Sequence, residues 1–270
     1  MTSQFKTLLL LSLLSGVIIC LGGLLGGQQG IIIALILSIL MNVGSYWFSD
    51  KIVLSMYHAR ELSENEAPLL HEFIEELAYN ANLPKPRIFV VPEKAPNAFA
   101  TGRNAENSAI AVTEGILQIL SPNELKGVLA HEMAHIANKD ILIQTIAGVL
   151  ASTIVTIANM FQFMAIFGNN RNSENNANPF VALLLALLAP IAASLIQMAI
   201  SRTREYLADE TGAKFCKEPL ALASALQKLN MANNQIPMKN GNASMEQFFI
   251  VTPLFANNPF KNLFLYSSST

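Results

Sequence analysis

The residues best equipped for chemistry in this chain are His131-Glu132-Met133-Ala134-His135. On a helix, two histidines four positions apart stand one above the other on one face, so both imidazoles can reach a single zinc ion. Glu132 sits beside them, placed to take a proton from an attacking water. Two histidines do not complete such a site, because a catalytic zinc takes three protein ligands and leaves one position open. The only other histidines, His58 and His71, read as ordinary surface or interfacial residues, and Cys216 is the one cysteine in a polar segment. Carboxylates are the better source. Glu205 begins Glu205-x-x-x-Asp209 in a polar stretch of helical character, which puts both carboxylates on one face. Glu205 could ligate the metal while Asp209 hydrogen-bonds the free ring nitrogen of a ligand histidine.

The elements around the motif must hold it rigidly. Ser121-Pro122-Asn123-Glu124 opens a helix by three signals: an N-cap serine, a proline at the first helical position and a glutamate that completes a capping box. Leu125, Val128, Leu129 and the two histidines follow at helical spacing. That helix runs through Asn138-Lys139-Asp140 almost directly into an apolar span, so the site is expected near a membrane surface. Upstream, Ser63 to Tyr79 shows a helical period in Leu69, Leu70, Phe73, Ile74 and Leu77. Arg87 to Val91, Asn97 to Gly102 and Ala109 to Val112 read as short strands, with Gly102-Arg103-Asn104 as a turn. Downstream, Ser201 to Glu210 reads as a helix and Leu220 to Met231 as an amphipathic one, whereas Ala232 to Thr270 gives no clear pattern.

Composition sets the environment. The 270 residues are 52% hydrophobic and only 13% charged, far from the usual quarter of charged residues in soluble proteins. Four apolar segments account for this, roughly Leu8 to Gly27, Gly30 to Phe48, Ile141 to Phe167 and Phe180 to Ile200, each near the length that crosses a bilayer. The first two are separated only by Gln28-Gln29 and read as a hairpin. A cleaved leader is disfavoured, since no small-x-small site follows the first run, and Ile18-Ile19 before Cys20 do not fit a lipoprotein signal. Lys6, Lys51, Arg60, Lys139, Arg202 and Arg204 flank the spans on one side, which is expected to be cytoplasmic; the Asn-rich connection Gly168 to Pro179 lies on the other. Arg202 and Arg204 are read most simply as positive anchors, with a part in orienting Glu205 as the second reading. With Cys20 in a span and Cys216 in a polar segment, no disulfide is expected. The net charge of -2 and the lack of a Lys/Arg cluster argue against nucleic acid as a partner.

The chain is thus expected to comprise a transmembrane hairpin (1–48), a first part of a cytoplasmic domain carrying the motif helix (49–140), a second hairpin (141–200) and a second part carrying Glu205 (201–270). The set His131-Glu132-Met133-Ala134-His135, with Asn97-Ala98-Phe99-Ala100-Thr101-Gly102 upstream and Ser201-Arg202-Thr203-Arg204-Glu205-Tyr206-Leu207-Ala208-Asp209 downstream, resembles the HtpX family of membrane-bound zinc metalloproteases. The resemblance covers nearly the whole chain. It implies an α+β fold, a mainly helical zincin-type domain with a small sheet plus four transmembrane helices. It further implies one zinc held by His131, His135 and Glu205, Glu132 as general base, Asp209 supporting a histidine, and a strand at Asn97, Ala98 and Phe99 bordering the substrate cleft. An extended peptide can add to such a sheet edge through its main chain.

By the same resemblance the substrates are misfolded or damaged membrane proteins in the bacterial inner membrane, with a functional link to the ATP-dependent protease FtsH. The chain has no P-loop and so cannot extract substrates by ATP hydrolysis itself. The family also carries a C-terminal Ser/Thr-His-Pro element whose histidine is a candidate oxyanion stabiliser. Ser267-Ser268-Ser269-Thr270 stands where it is expected, so either a shortened chain or a member lacking that donor is anticipated. Two other functions share parts of this pattern: a prenyl-protein (CAAX) metalloprotease, which typically carries more spans, and a non-enzymatic membrane scaffold that keeps the metal without turnover.

Overall fold

The computed structural model describes residues 3–151 and 202–233. The Gly168 to Pro179 connection, the expected fourth span, most of the third span and the segment beyond Asn233 lie outside the described residues. The chain divides into two compact units, one of residues 1–49 and 142–201, the other of residues 50–141 and 202–270.

In the first unit, helix α1 (Ser3–Trp47) is interrupted at Gly27, whose φ of 56° and ψ of -139° no helix accommodates. Its two arms face each other: a Cβ on Gly22 would lie 2.5 Å from Ala34 Cβ and from Gly30 O, and Asn42 Nδ2 donates to Ser15 Oγ at 2.8 Å. Among the described residues, one segment, Gly26–Trp47, is long and apolar enough to cross a membrane, with a mean hydropathy of 1.9. Ile32, Ile33, Ile36 and Leu40 point outward from it, and Tyr46 and Trp47 close its end, a common position for amphipathic rings at a bilayer surface. A shorter apolar helix, Ile141–Ala151, covers the start of the expected third span.

A short helix, α2 (Ser49–Met56), leads into the second unit, where its Asp50 accepts from Arg87 at 2.6 Å. The unit holds a four-stranded mixed sheet in the order β1-β2-β4-β3, formed by β1 (Arg60–Glu61), β2 (Arg87–Val91), β3 (Ala98–Gly102) and β4 (Ser108–Thr113). β2 and β4 run parallel, while β3 pairs antiparallel with β4 in the register Ala100↔Ile110. The turn expected at Gly102-Arg103-Asn104 extends through a short 3-10 segment, Ala105–Asn107, because Asn104 Oδ1 accepts from the Asn107 N–H. The helix expected from Ser63 begins later, as α3 (Pro68–Ala81), since Glu66 is committed to a turn: its carboxylate accepts from Ser63 N–H at 2.9 Å and from Ser63 Oγ at 2.7 Å. A short helix absent from the sequence reading, α4 (Glu114–Ile119), is capped by Thr113, whose hydroxyl accepts from the Ile116 N–H.

The motif helix, α5 (Pro122–Ala137), runs through the centre of this unit. Leu125, Val128, Leu129, Met133 and Ile136 join one cluster with Ile74 and Leu77 of α3, Ile88 and Ile110 of the sheet, and Leu222 and Leu229. Each such side chain contributes about 1.5–3 kcal/mol by leaving water. The last two belong to α7 (Pro219–Asn233), which follows α6 (Arg202–Cys216). Glycines let both helices approach α5 at backbone distance. A Cβ on Gly127 would meet Leu222 N at 2.8 Å, and one on Gly212 would meet Ala130 O and His131 N at 3.0 Å. The packing that seats α6 beside the first histidine therefore depends on an absent side chain.

Glu124 locks the start of α5. Its carboxylate accepts from Ser121 N–H and Oγ, both at 2.8 Å, from Ser224 Oγ at 2.6 Å and from Lys228 Nζ at 2.8 Å on α7. Lys228 above all, then Ser224 and Ser121, hold this carboxyl down at about 2. A folded-state value below the ordinary one gives stability that is fully present above the ordinary carboxylate range and lost as pH falls toward that value. Glu124→Gln is expected to cost about 1–3 kcal/mol at pH 7. Denaturant unfolding should show the gap between parent and variant closing between pH 4.5 and about 2; a gap that persists unchanged at the acid end would contradict this assignment.

Candidate metal centre

The first histidine ligand candidate, His131, and the second, His135, lie one turn apart on α5 with both rings buried. Their Nε2 atoms stand 3.2 Å from each other. Glu205, in the first turn of α6, brings Oε2 to 3.5 Å from His131 Nε2 and 3.6 Å from His135 Nε2. Among the described residues these three side chains form the one group whose donor atoms converge closely enough to hold a metal ion. A tetrahedral zinc with bonds of about 2.0–2.2 Å spaces its ligand atoms about 3.3–3.6 Å apart, and two imidazoles with one carboxylate suit its chemistry. The residues therefore fit a zinc ion. The side chains of His131 and His135 are 5% and 6% exposed, whereas that of Glu205 is 41% exposed.

Carboxylates surround the pair. His131 Nδ1 donates to Asp209 Oδ1 at 2.9 Å, one turn along α6 from Glu205. His135 Nδ1 lies 3.1 Å from both oxygens of Asp140, which is itself buried. Arg204, read from sequence as a membrane anchor, turns its mostly buried side chain toward the site, with Nε 3.9 Å from Asp140 Oδ2. Burial opposes protonation of His131, but Asp209 and Glu205 outweigh it and raise the imidazole to about 9. His135 behaves alike, with burial overcome by Asp140 and Glu205 to reach about 10. Burial would raise Glu205 too, yet hydrogen bonds to the two histidines hold it well below the usual carboxylate range. The neighbouring carboxylates thus favour positive charge at the imidazole pair.

Glu132 points to the neighbouring flank of α5. It is buried, and its Oε2 accepts from the Ala100 N–H of β3 at 2.7 Å. Burial pushes this carboxyl up, against the pull of the two histidines and the Ala100 N–H. A carboxylate made more basic than usual is a better proton acceptor. Ala98 and Ala100 share a face and edge of β3, and α5 packs beside that strand. Asn97 is buried just ahead of it, its N–H donating to Thr113 Oγ1 at 2.8 Å and its carbonyl accepting from the Thr113 N–H at 2.9 Å. The Phe99 ring meets Tyr57 with centroids 4.9 Å apart. Of the remaining histidines, His58 is exposed and His71 donates from Nε2 to the Leu62 carbonyl; neither joins the cluster.

The sequence reading missed Asp140. Its only signal was position, five residues after His135 at the helix end, and no periodicity marks that place. For Arg204 the anchor reading comes first, because a basic residue after an apolar span has that simpler explanation, and a part in orienting Glu205 comes second.

A buried histidine pair, a converging carboxylate and a second glutamate alongside define a metal-dependent hydrolase. The model of peptidase family M48 matches residues 64–265. A protease HtpX homolog of Syntrophobacter fumaroxidans is 54% identical over 98% of this chain and 94% of its own length. One of Pyrococcus furiosus is 52% identical over 96% of this chain and 89% of its own. The solved structure of S. mikatae Ste24p aligns with 91% of this chain and 62% of its own, at 21% identity and a TM-score of 0.48. The chain belongs to the HtpX group of peptidase family M48, and it is a metalloprotease.

Proposed function

We propose that the chain is a multi-pass zinc endopeptidase of the bacterial inner membrane, its catalytic domain facing the cytoplasm, that hydrolyses misfolded or damaged membrane proteins. His131, His135 and Glu205 hold one zinc, and Glu132 is the general base. The observation that carries this reading is the convergence of three donor atoms at 3.2, 3.5 and 3.6 Å with Glu132 on the next position of the same helix. The metal, when bound, would polarise the scissile carbonyl and make a water acidic enough to attack it near neutral pH. Glu132 takes the proton released in that attack and passes it to the leaving amine. Asp209 holds His131 in the orientation that directs Nε2 at the metal position.

The extended substrate would lie along β3 at Asn97, Ala98 and Phe99, exchanging main-chain hydrogen bonds with Ala98, the one of the three whose backbone groups turn away from β4, in a mode indifferent to side-chain identity. Such tolerance suits damaged proteins of many sequences. Substrates already loosened by an ATP-dependent partner such as FtsH would be accessible to it, and the apolar helix Gly26–Trp47 supports a place in the bilayer beside them. The test is zinc dependence in the full-length purified chain. A chelator should abolish cleavage of casein and of an unfolded membrane protein, and one equivalent of zinc should restore both; cleavage that survives chelation would overturn the proposal.

A further inference from the structure

We propose that Asp140 is a positioning residue for His135, fixing the tautomer in which its second ring nitrogen is free to bind metal. The inference rests on the zinc site proposed above. The backbone delivers Asp140 by a specific device. At the end of α5, Asn138 N–H returns to the Ala134 carbonyl, Lys139 turns left-handed with φ 59°, and Asp140 N–H returns to the His135 carbonyl at 3.3 Å. The reversal carries the Asp140 carboxylate back to the Nδ1 edge of the His135 ring, where both oxygens lie 3.1 Å from Nδ1. Asp140 is 3% exposed, so its charge is spent inside the site and not on solvent.

The chemistry follows from which nitrogen carries the proton. A carboxylate only accepts, so His135 must donate from Nδ1, and in the neutral ring that binds metal the lone pair then resides on Nε2. That nitrogen is the one 3.6 Å from Glu205 Oε2 and 3.2 Å from His131 Nε2. The ionised acceptor also makes the ring a stronger donor to a cation. Each histidine of the pair thereby has its own carboxylate: Asp209 comes from α6, and Asp140 comes from the turn that ends α5. Arg204 supplies a positive charge 3.9 Å from Asp140 and sits next to Glu205 in sequence, which ties the turn to the helix bearing the third ligand candidate.

A merely structural role is available to Asp140, because it immediately precedes the helix Ile141–Ala151 and aspartate is a favoured N-cap. Asn caps a helix as well as Asp does, so Asp140→Asn leaves that role intact and removes the charge. The experiment measures the zinc dissociation constant of the full-length chain in detergent by competition with a chromophoric chelator, for the parent, Asp140→Asn and His135→Ala. Asp140→Asn is expected to bind zinc 10–100-fold more weakly, as is typical of outer partners, while the zinc-free variant keeps the far-ultraviolet circular dichroism of the parent. Affinity within twofold of the parent, while His135→Ala loses it, overturns the inference and leaves the site reading standing. Affinity retained by His135→Ala instead overturns the site reading, and this inference with it. A second measurement needs no variant: nitrogen-15 histidine spectra of the zinc-loaded parent should show His135 protonated at Nδ1, and protonation at Nε2 overturns the inference.

Discussion

Glu132→Gln is expected to bind zinc as the parent does and to hydrolyse protein about 10²–10⁴-fold more slowly, the usual contribution of a positioned acid–base group. The amide preserves shape and can still accept from the Ala100 N–H, so β3 and α5 stay in register. What is lost is an acceptor for the water's proton and a donor for the departing amine. Single-turnover cleavage of casein beside zinc analysis of the same samples separates the two properties. Equal rates for variant and parent at equal zinc content would remove Glu132 from the mechanism and return the scaffold reading to contention.

The second large effect belongs to Glu205→Gln. Removing an outer hydrogen-bond partner costs 10–100-fold in metal affinity, so removing a direct anionic ligand should cost about 10³-fold or more. The two imidazoles hold the Glu205 carboxyl well below its usual range, so it meets a cation already ionised at any physiological pH. The amide in its place would leave His131 and His135 facing each other across 3.2 Å with a neutral neighbour. Competition titration provides the number; an affinity equal to the parent's would show that the third ligand is another group.

How far this could be read without coordinates depended on periodicity. The spacings His131 to His135 and Glu205 to Asp209 are one helical turn each, and the capping box at Ser121 and Glu124 announced the helix that carries the motif. Strands β2 and β4 were legible from β-branched runs, although their parallel pairing was not, because register over such distance leaves no local mark. α4 hid behind a single capping threonine shared with the bridge to Asn97. Asp140 escaped for a different reason: it reaches His135 through one left-handed residue, Lys139, a conformation that its side chain does not advertise. Gly212 and Gly127 likewise look like weak points in helices until neighbouring backbones are seen to occupy the space.

The distribution of the donor atoms over two helices sets a timetable for synthesis. His131 and His135 leave the ribosome together, and Glu205 follows about 70 residues later, after the whole apolar stretch has been made. At about 5–20 residues per second, that interval is roughly 4–14 s. With the proposed ligand set, the nascent chain would during that interval offer a metal two nitrogens and no third ligand, and so could not yet cut itself or the chains emerging beside it. Its own length would then be the safety catch.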